Sequence, residues 1–205
     1  MDIPNHFKFD AKEDVLAFIK QFSFATLINI KEGKPIATQL PFVIKEKDEK
    51  LIISSHFGKG NEHYNYIESS PCLVIFTEPH AYISPKLYTS KNNVPTWDYI
   101  TVQVYGTGKI IDSIELKESI LKEMIVFYEE EYSEQWDSLN DSYKKRMMNG
   151  IVAFEIEIEQ ILGKKKLSQN KSKIEQINIM EHLSKSEDTA AQKLSEYMKI
   201  DLQKE

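Results

Sequence analysis

One cysteine in 205 residues, Cys72, leaves the chain without an internal disulfide. It sits in the apolar run "CLVIF", where a cysteine reads as a small buried hydrophobe rather than a reactive thiol. With no cysteine cluster at metal spacing either, the composition points to a reducing compartment. No run reaches the roughly 18 to 20 apolar residues that cross a bilayer. The start, "MDIPNHFKFDAKED", has no basic segment leading into an apolar one. The chain therefore reads as soluble and cytoplasmic, with no membrane partner. Positive charge is also short: 26 Lys and Arg face 32 Asp and Glu, a net charge of −6. That argues against a protein whose main task is coating nucleic acid, though not against a local basic patch. G-x-S-x-G, Walker and G-x-G-x-x-G motifs are all missing, which removes the familiar nucleophile elbow and nucleotide loops. His56 and His63 stand seven apart with no cysteine or carboxylate completing a zinc spacing, so no metal is expected.

What is present suffices for a core. Apolar residues make up 41% and charged residues 28%, the balance of one soluble domain with a small appendage. "DAKEDVLAFIKQ" predicts a helix over 10–21, with Asp10 and Glu13 at capping-box spacing. "FATLINI" and "PIATQLPFVI" around "KEGK" predict a hairpin. "LIISSH" and "CLVIF" predict two more strands, with near-helical spacing in "GNEHYNYIESS" between them. "YITVQVYGTGKIID" alternates again, and "GTG" at 106–108 predicts a bulge. Helices are expected at "SIELKESILKEMIVFYEEEY" and "SLNDSYKKRMMN". "GIVAFEIEIEQILG" then has the clearest period of two, with Val152, Phe154, Ile156 and Ile158 inward and Ala153, Glu155, Glu157 and Glu159 outward. Two amphipathic helices end the chain. Hairpins without strand–helix–strand alternation predict a mostly antiparallel α+β fold, a barrel with peripheral helices. The expected divisions are a domain over 1–170 with a helical insertion near 113–149, and a helical tail over 171–205.

Three segments carry candidate chemistry. "SSHFGKGN" (54–61) ends a strand with two hydroxyls and a histidine, then brackets Lys59 with Gly58 and Gly60 before an expected helix at Asn61. Such a turn is either a phosphate cradle at a helix N-terminus or a solvated glycine turn. "GKKKLSQNKSK" (163–173) carries five lysines in eleven residues, a solvated face unless its amides and hydroxyl bind a ligand. "PHAYISPKLYTSKNNVPTWDY" (79–99) offers Tyr82, Tyr88, Trp97 and Tyr99 on proline-stiffened chain, suited to stacking on a planar ring or to a dimer interface.

Together "PIATQLPFVI", "HFGKGN", "PHAYISPKLY", "VPTWDYITVQVYG" and "GIVAFEIEIEQILGKKKLSQN" resemble, in order and spacing, the PaiB-like proteins, bacterial FMN-binding proteins described as negative transcriptional regulators. The resemblance covers about residues 1–175. It implies a split β-barrel like that of pyridoxamine-phosphate oxidases and flavin reductases, and a homodimer with FMN at the subunit interface. By the same resemblance Ser55, His56, Lys59, Gly60 and Asn61 would meet the phosphate and ribityl chain. Thr38, Gln39, Leu40, Pro41 and Phe42 would lie against the isoalloxazine, with Trp97, Gln103, Lys166 and Gln169 completing the set. The chain departs from the family at Gln39, where a histidine is usual, at Gly58 for alanine, at Leu87 for tryptophan, and at "EHY" for "PQW". The phosphate-binding charge is kept, while an imidazole and stacking rings are lost. Three functions follow as expectations: a redox-active flavoprotein with a small-molecule partner near His80 and Tyr82, a regulator that senses flavin, haem or redox state without turnover and whose surface for DNA or a partner is the lysine run at 164–173 and the C-terminal helices, and a haem-handling barrel using His63, His80 or His182.

Overall fold

The computed structural model describes residues 1–204. Strands β1 (Phe24–Lys31) and β2 (Lys34–Pro41) pair antiparallel, from Phe24 opposite Pro41 to Lys31 opposite Lys34. Glu32 and Gly33 make the turn at φ 50° and 79°, the left-handed pair that matches hairpin twist. β3 (Val43–Lys47) and β4 (Lys50–Gly58) repeat the device without glycine, on Asp48 and Glu49 at φ 51° and 63°. The single strand expected over 35–44 is thus two. They part at Phe42, whose ring is buried and whose amide donates to the Ser23 carbonyl at 2.8 Å.

With β5 (Cys72–Ile83), β6 (Thr96–Ile111) and β7 (Ile151–Lys166) the sheet runs β2-β1-β5-β6-β7-β4-β3. β2 and β3 are its two edges, yet one residue separates them in the chain. The sheet can satisfy that link only by curling until its edges meet, which is barrel closure. The fold is α+β and of the split-barrel type.

The chain divides into two compact units, one of Met1–Val15, Thr77–Val102 and Leu162–Glu205, the other of Leu16–Phe76 and Gln103–Ile161. In the second unit, α2 (Ile114–Glu129) starts at Ser113, whose hydroxyl accepts from the Leu116 amide, and α4 (Asp141–Met148) starts at Asn140 in the same way. A further helix, α3 (Tyr132–Ser138), stands between them. Ile120 and Met124 of α2 pack with Val43, Ile111 and Ala153. Ala153 is therefore buried rather than outward, because α2 covers that end of β7 on its second face. Phe42, Phe76, Phe154 and Phe57 form the aromatic centre, with ring separations of 5.1 to 6.2 Å. Each buried ring contributes roughly 2–3 kcal/mol.

In the first unit, β5 continues through Ile83 and β6 begins at Thr96, so only 84–95 of the aromatic segment is irregular. Burial alternates through Cys72, Val74 and Phe76, then resumes one residue out of phase at Pro79, Ala81 and Ile83. α5 (Lys173–Ser184) opens with a capping box between Ser172 and Glu175. Glu175 also accepts from the amide and hydroxyl of Thr89, at 3.0 and 2.9 Å, and these bonds lower its carboxyl to about 2. That pins the 84–95 loop to α5. A last helix, α6 (Thr189–Lys204), pairs with α5, and α1 (Lys12–Gln21) forms near its expected place. Asp10, expected to cap α1, is drawn to Lys8 at 2.8 Å.

Gly106 is no bulge. A Cβ there would stand 2.0 Å from the Glu157 carbonyl oxygen, so it marks the closest approach of β6 and β7. Gly106→Ala is expected to lower unfolding free energy by about 2 kcal/mol or more in urea titrations. Gly60→Ala, where added atoms meet open space, is expected to change it by under about 1 kcal/mol.

Candidate functional site

The site residues of the second unit gather where the barrel closes. Asn61 donates to the Thr38 hydroxyl at 3.2 Å, which joins the end of β2 to the turn after β4. Ser55 is buried and donates to the Pro41 carbonyl at 2.6 Å. Leu40 and Phe42 are core, whereas Gln39 is exposed. Gln103 accepts from the Tyr105 hydroxyl at 3.2 Å.

The turn itself is open. Gly58, Lys59 and Gly60 are all exposed, and a Cβ on either glycine would meet nothing within 4 Å. Packing does not require these glycines, so their effect is access to the backbone. The Lys59 amide is used, donating to Gly150 at 3.0 Å, but among the described residues its ammonium has no carboxylate partner. Lys117, on the buried face of α2, donates to the carbonyls of Met148 and Ile151 at 3.3 and 3.2 Å. Its ammonium pKa is lowered, first by burial and then by repulsion from Lys59. Two ammonium groups that repel, one of them without a carboxylate partner among the described residues, are what a phosphate relieves. The expected helix at Asn61 is only a single 3-10 turn, Glu62–Asn65, capped by Asn61. It is too short for a macrodipole, and the positive field comes from the lysines. These residues fit the phosphate end of FMN.

Two histidines here are structural in different ways. His63 is fully buried, its Nδ1 2.7 Å from Asn29 Oδ1. Asn29 in turn donates to the Pro71 carbonyl and the Cys72 sulfur at 3.1 and 3.3 Å. Burial raises the Cys72 thiol pKa, as expected for an inert core cysteine. His56 is half-buried on β4, and its Nδ1 is sealed from solvent without a hydrogen-bond partner. Burial lowers both imidazoles below their ordinary value.

In the first unit, Trp97, Lys166 and Gln169 stand around a carboxylate that sequence reasoning missed. Asp98 is fully buried. Ser168, at φ 60°, donates to its Oδ2 at 2.6 Å, and Lys166 lies 3.6 Å from its Oδ1. Burial pushes the Asp98 carboxyl up, against Ser168 and Lys166, which hold it down. Lys166 also donates to the Thr96 hydroxyl and the Trp97 carbonyl. Gln169 staples its own turn, donating to the Lys165 carbonyl at 2.6 Å and accepting from the Leu167 amide at 2.7 Å. The signal for Asp98 was its parity, since it alternates inward with Ile100 and Val102. The Trp97 ring stays exposed, with Tyr82 and His80 centred 5.9 and 6.0 Å away.

The lysine run is tied to other parts of the chain, two of its lysines, Lys165 and Lys166, by carboxylates. Lys164 donates to the Asp2 carbonyl, Lys165 pairs with Asp201 at 2.7 Å, and Lys171 bonds Asn93 while lying over Tyr88. Among the described residues no three His, Cys, Asp or Glu side chains cluster as metal ligands. No helix among them is long and apolar enough to cross a membrane.

Comparison with known proteins bears on this geometry. The model of a family described as "Putative FMN-binding domain" matches residues 1–160. Protease synthase and sporulation protein PAI 2 of Bacillus subtilis is 37% identical over 208 residues, all of both chains. Among solved structures, the flavocytochrome Anf3 of Azotobacter vinelandii superposes with a TM-score of 0.63 at 15% identity, covering 78% of this chain and 69% of that one. An FAD and heme binding protein of Mycobacterium smegmatis gives 0.59 at 14% identity, covering 83% and 78%. At such identities the structures speak for the fold alone.

Because His56 and His63 have folded pKa values below 6.5, the unfolded chain takes up protons first as pH falls. Their stabilising effect is complete above about pH 6.5 and is lost below it. Urea unfolding is expected to show stability declining from pH 7 to 5, with a shallower slope in His63→Gln. An unchanged slope would exclude His63 as a source.

Proposed function

Because the chain belongs to the PaiB-like FMN-binding family, with FMN as cofactor, we propose that it works as a homodimer that holds the flavin between subunits in a regulatory or redox-linked role. The carrying observation is the unpaired Lys59 in an open glycine turn, beside Lys117 and the Thr38–Asn61 bond. In this reading Lys59 and Asn61 hold the phosphate. The backbone from Thr38 to Phe42 lies along the ring system, fixed by Ser55 and the buried Phe42. Trp97 supplies an exposed aromatic face, and Lys166, fixed by Asp98, Thr96 and Trp97, presents a positioned charge from the turn that Gln169 staples. FMN contributes one- and two-electron chemistry when bound, and the chain orients it. The domain reading, a flavin-binding body to about residue 170 with a tail after it, accompanies this proposal.

Large apolar side chains left in water support association: Phe24 is 67% exposed, Val94 77% and Trp97 54%. A second reading, a flavin-dependent oxidoreductase, is favoured by the exposed group of Trp97, Tyr82 and His80, a place for a small substrate. A flavin band bleached by NADH or NADPH supports the oxidoreductase. A band stable to both supports sensing. DNA contact has less behind it, since the lysine run is tied within the chain.

Purified protein is expected to bind FMN with an absorption band near roughly 450 nm, as flavins show. Lys59→Ala is expected to weaken FMN binding about 10- to 100-fold, as loss of a charge-assisted bond does. Riboflavin, which has no phosphate, should lose under about threefold in the same fluorescence titration. Equal losses for both ligands would remove Lys59 from the phosphate.

A further inference from the structure

Of the clefts beside α2, two differ in what they lack. The larger, about 950 Å³ between α2 and β3, is lined by Lys45, Glu118, Lys122 and Glu123. These charges are already satisfied: Lys45 by Glu123 and Glu155, Lys122 by Asp137, and Glu118 by Lys144. It is a solvated ion-pair seam.

The other, about 440 Å³, lies where α2 and α3 face Pro41 and His56. Leu121, Met124 and Ile125 give it an aliphatic wall. Tyr128, Tyr132 and Trp136 give it an aromatic one. The polar ends of two of these rings are engaged, Tyr128 with the Ser23 hydroxyl at 2.8 Å and Trp136 with Glu118 at 3.3 Å. Their apolar bodies are what remains for a ligand. His56 brings the unmet hydrogen-bonding capacity. Its Nδ1 is enclosed and out of a ligand's reach, which leaves Nε2, without a partner among the described residues, and burial favours the neutral ring, which carries one donor and one acceptor. Glu129 stands exposed on the rim, with Glu130 and Glu131 following it, an acidic edge that repels anions.

We propose that this cleft binds a small, uncharged, planar aromatic molecule bearing one hydrogen-bonding group, which His56 meets. The volume suits one or two fused rings, aromatic walls favour a flat ligand, and the acidic rim selects against a phosphate or sulfonate. The cleft shares Pro41 and His56 with the flavin reading but does not rest on it, and competition tells the two apart.

Calorimetric titration of the full-length protein with 2-naphthol is expected to show one site per chain. Naphthalene-2-sulfonate should bind at least about tenfold more weakly. Ile125→Trp, which fills the cleft, should abolish the 2-naphthol heat. Leu121→Phe is the milder filling variant should the first misfold, and it should weaken binding. His56→Leu should cost roughly tenfold, the loss of one buried hydrogen bond. Saturating FMN, its own binding followed by fluorescence, should leave the 2-naphthol heat in place. No heat, heat unchanged in every filling variant, or equal binding of the sulfonate overturns the proposal. Loss of the heat mole for mole with FMN also overturns it, by making the cleft the seat of the isoalloxazine. A protein that takes up no FMN but binds 2-naphthol would refute the flavin reading and leave this one standing.

Discussion

One residue links the two edges of the sheet, and most of the site depends on it. Phe42 lies between β2 and β3, so the chain passes from one edge to the other in a single step. Its ring is held 5.9 Å from Phe76 and 6.2 Å from Phe154, and its amide is tied to Ser23. With that point fixed, the Pro41 carbonyl meets Ser55, and Thr38 meets Asn61. Residues 14 and 23 positions apart are brought together by barrel closure rather than by local preference.

Much of the barrel was legible because its signals are local. Period-two alternation in β7, polar turns between β1 and β2 and between β3 and β4, and the apolar stripe of α2 each depend on neighbours a few residues away. Three features were not legible, for a common reason. The break at Phe42, the inward Ala153 and the length of β5 are decided by what packs on them from elsewhere. "PIATQLPFVI" has nothing that marks a change of sheet edge, since proline and phenylalanine also suit an ordinary strand end. Ala153 follows the outward parity of its strand until α2 covers that face. The prolines at 79 and 85 read as stiffening a loop, yet Pro79 lies inside β5, where burial resumes in a shifted phase.

The candidate site divides along the same line. The turn at 54–61 was readable because its glycines and lysine are contiguous. The helix expected after it shrank to one 3-10 turn, because "NEHY" places polar side chains where a longer helix needs an apolar stripe. The lysine run was overread, since partners such as Asp2, Asp201 and Asn93 lie far off in sequence. Asp98 was underread. Its neighbours Trp97 and Tyr99 drew the eye, while its parity already placed a carboxylate in the interior.

The two lysines named for the flavin therefore differ in kind. Lys166 is compensated, with Asp98, Thr96 and Trp97 taking its charge and its donors. It can position a neighbour at little electrostatic cost. Lys59 has no carboxylate partner among the described residues, and its field adds to the effect of burial in lowering the pKa of Lys117. In a chain with a net charge of −6, carboxylates were abundant, yet among the described residues the ammonium in the open turn has none beside it. An exposed ion pair would contribute at most about 1 kcal/mol, so its absence costs the fold little. For a bound phosphate the same absence matters far more. A resident carboxylate would compete for the cation, whereas an empty partner position leaves its full attraction, and the relief of Lys117, to the ligand.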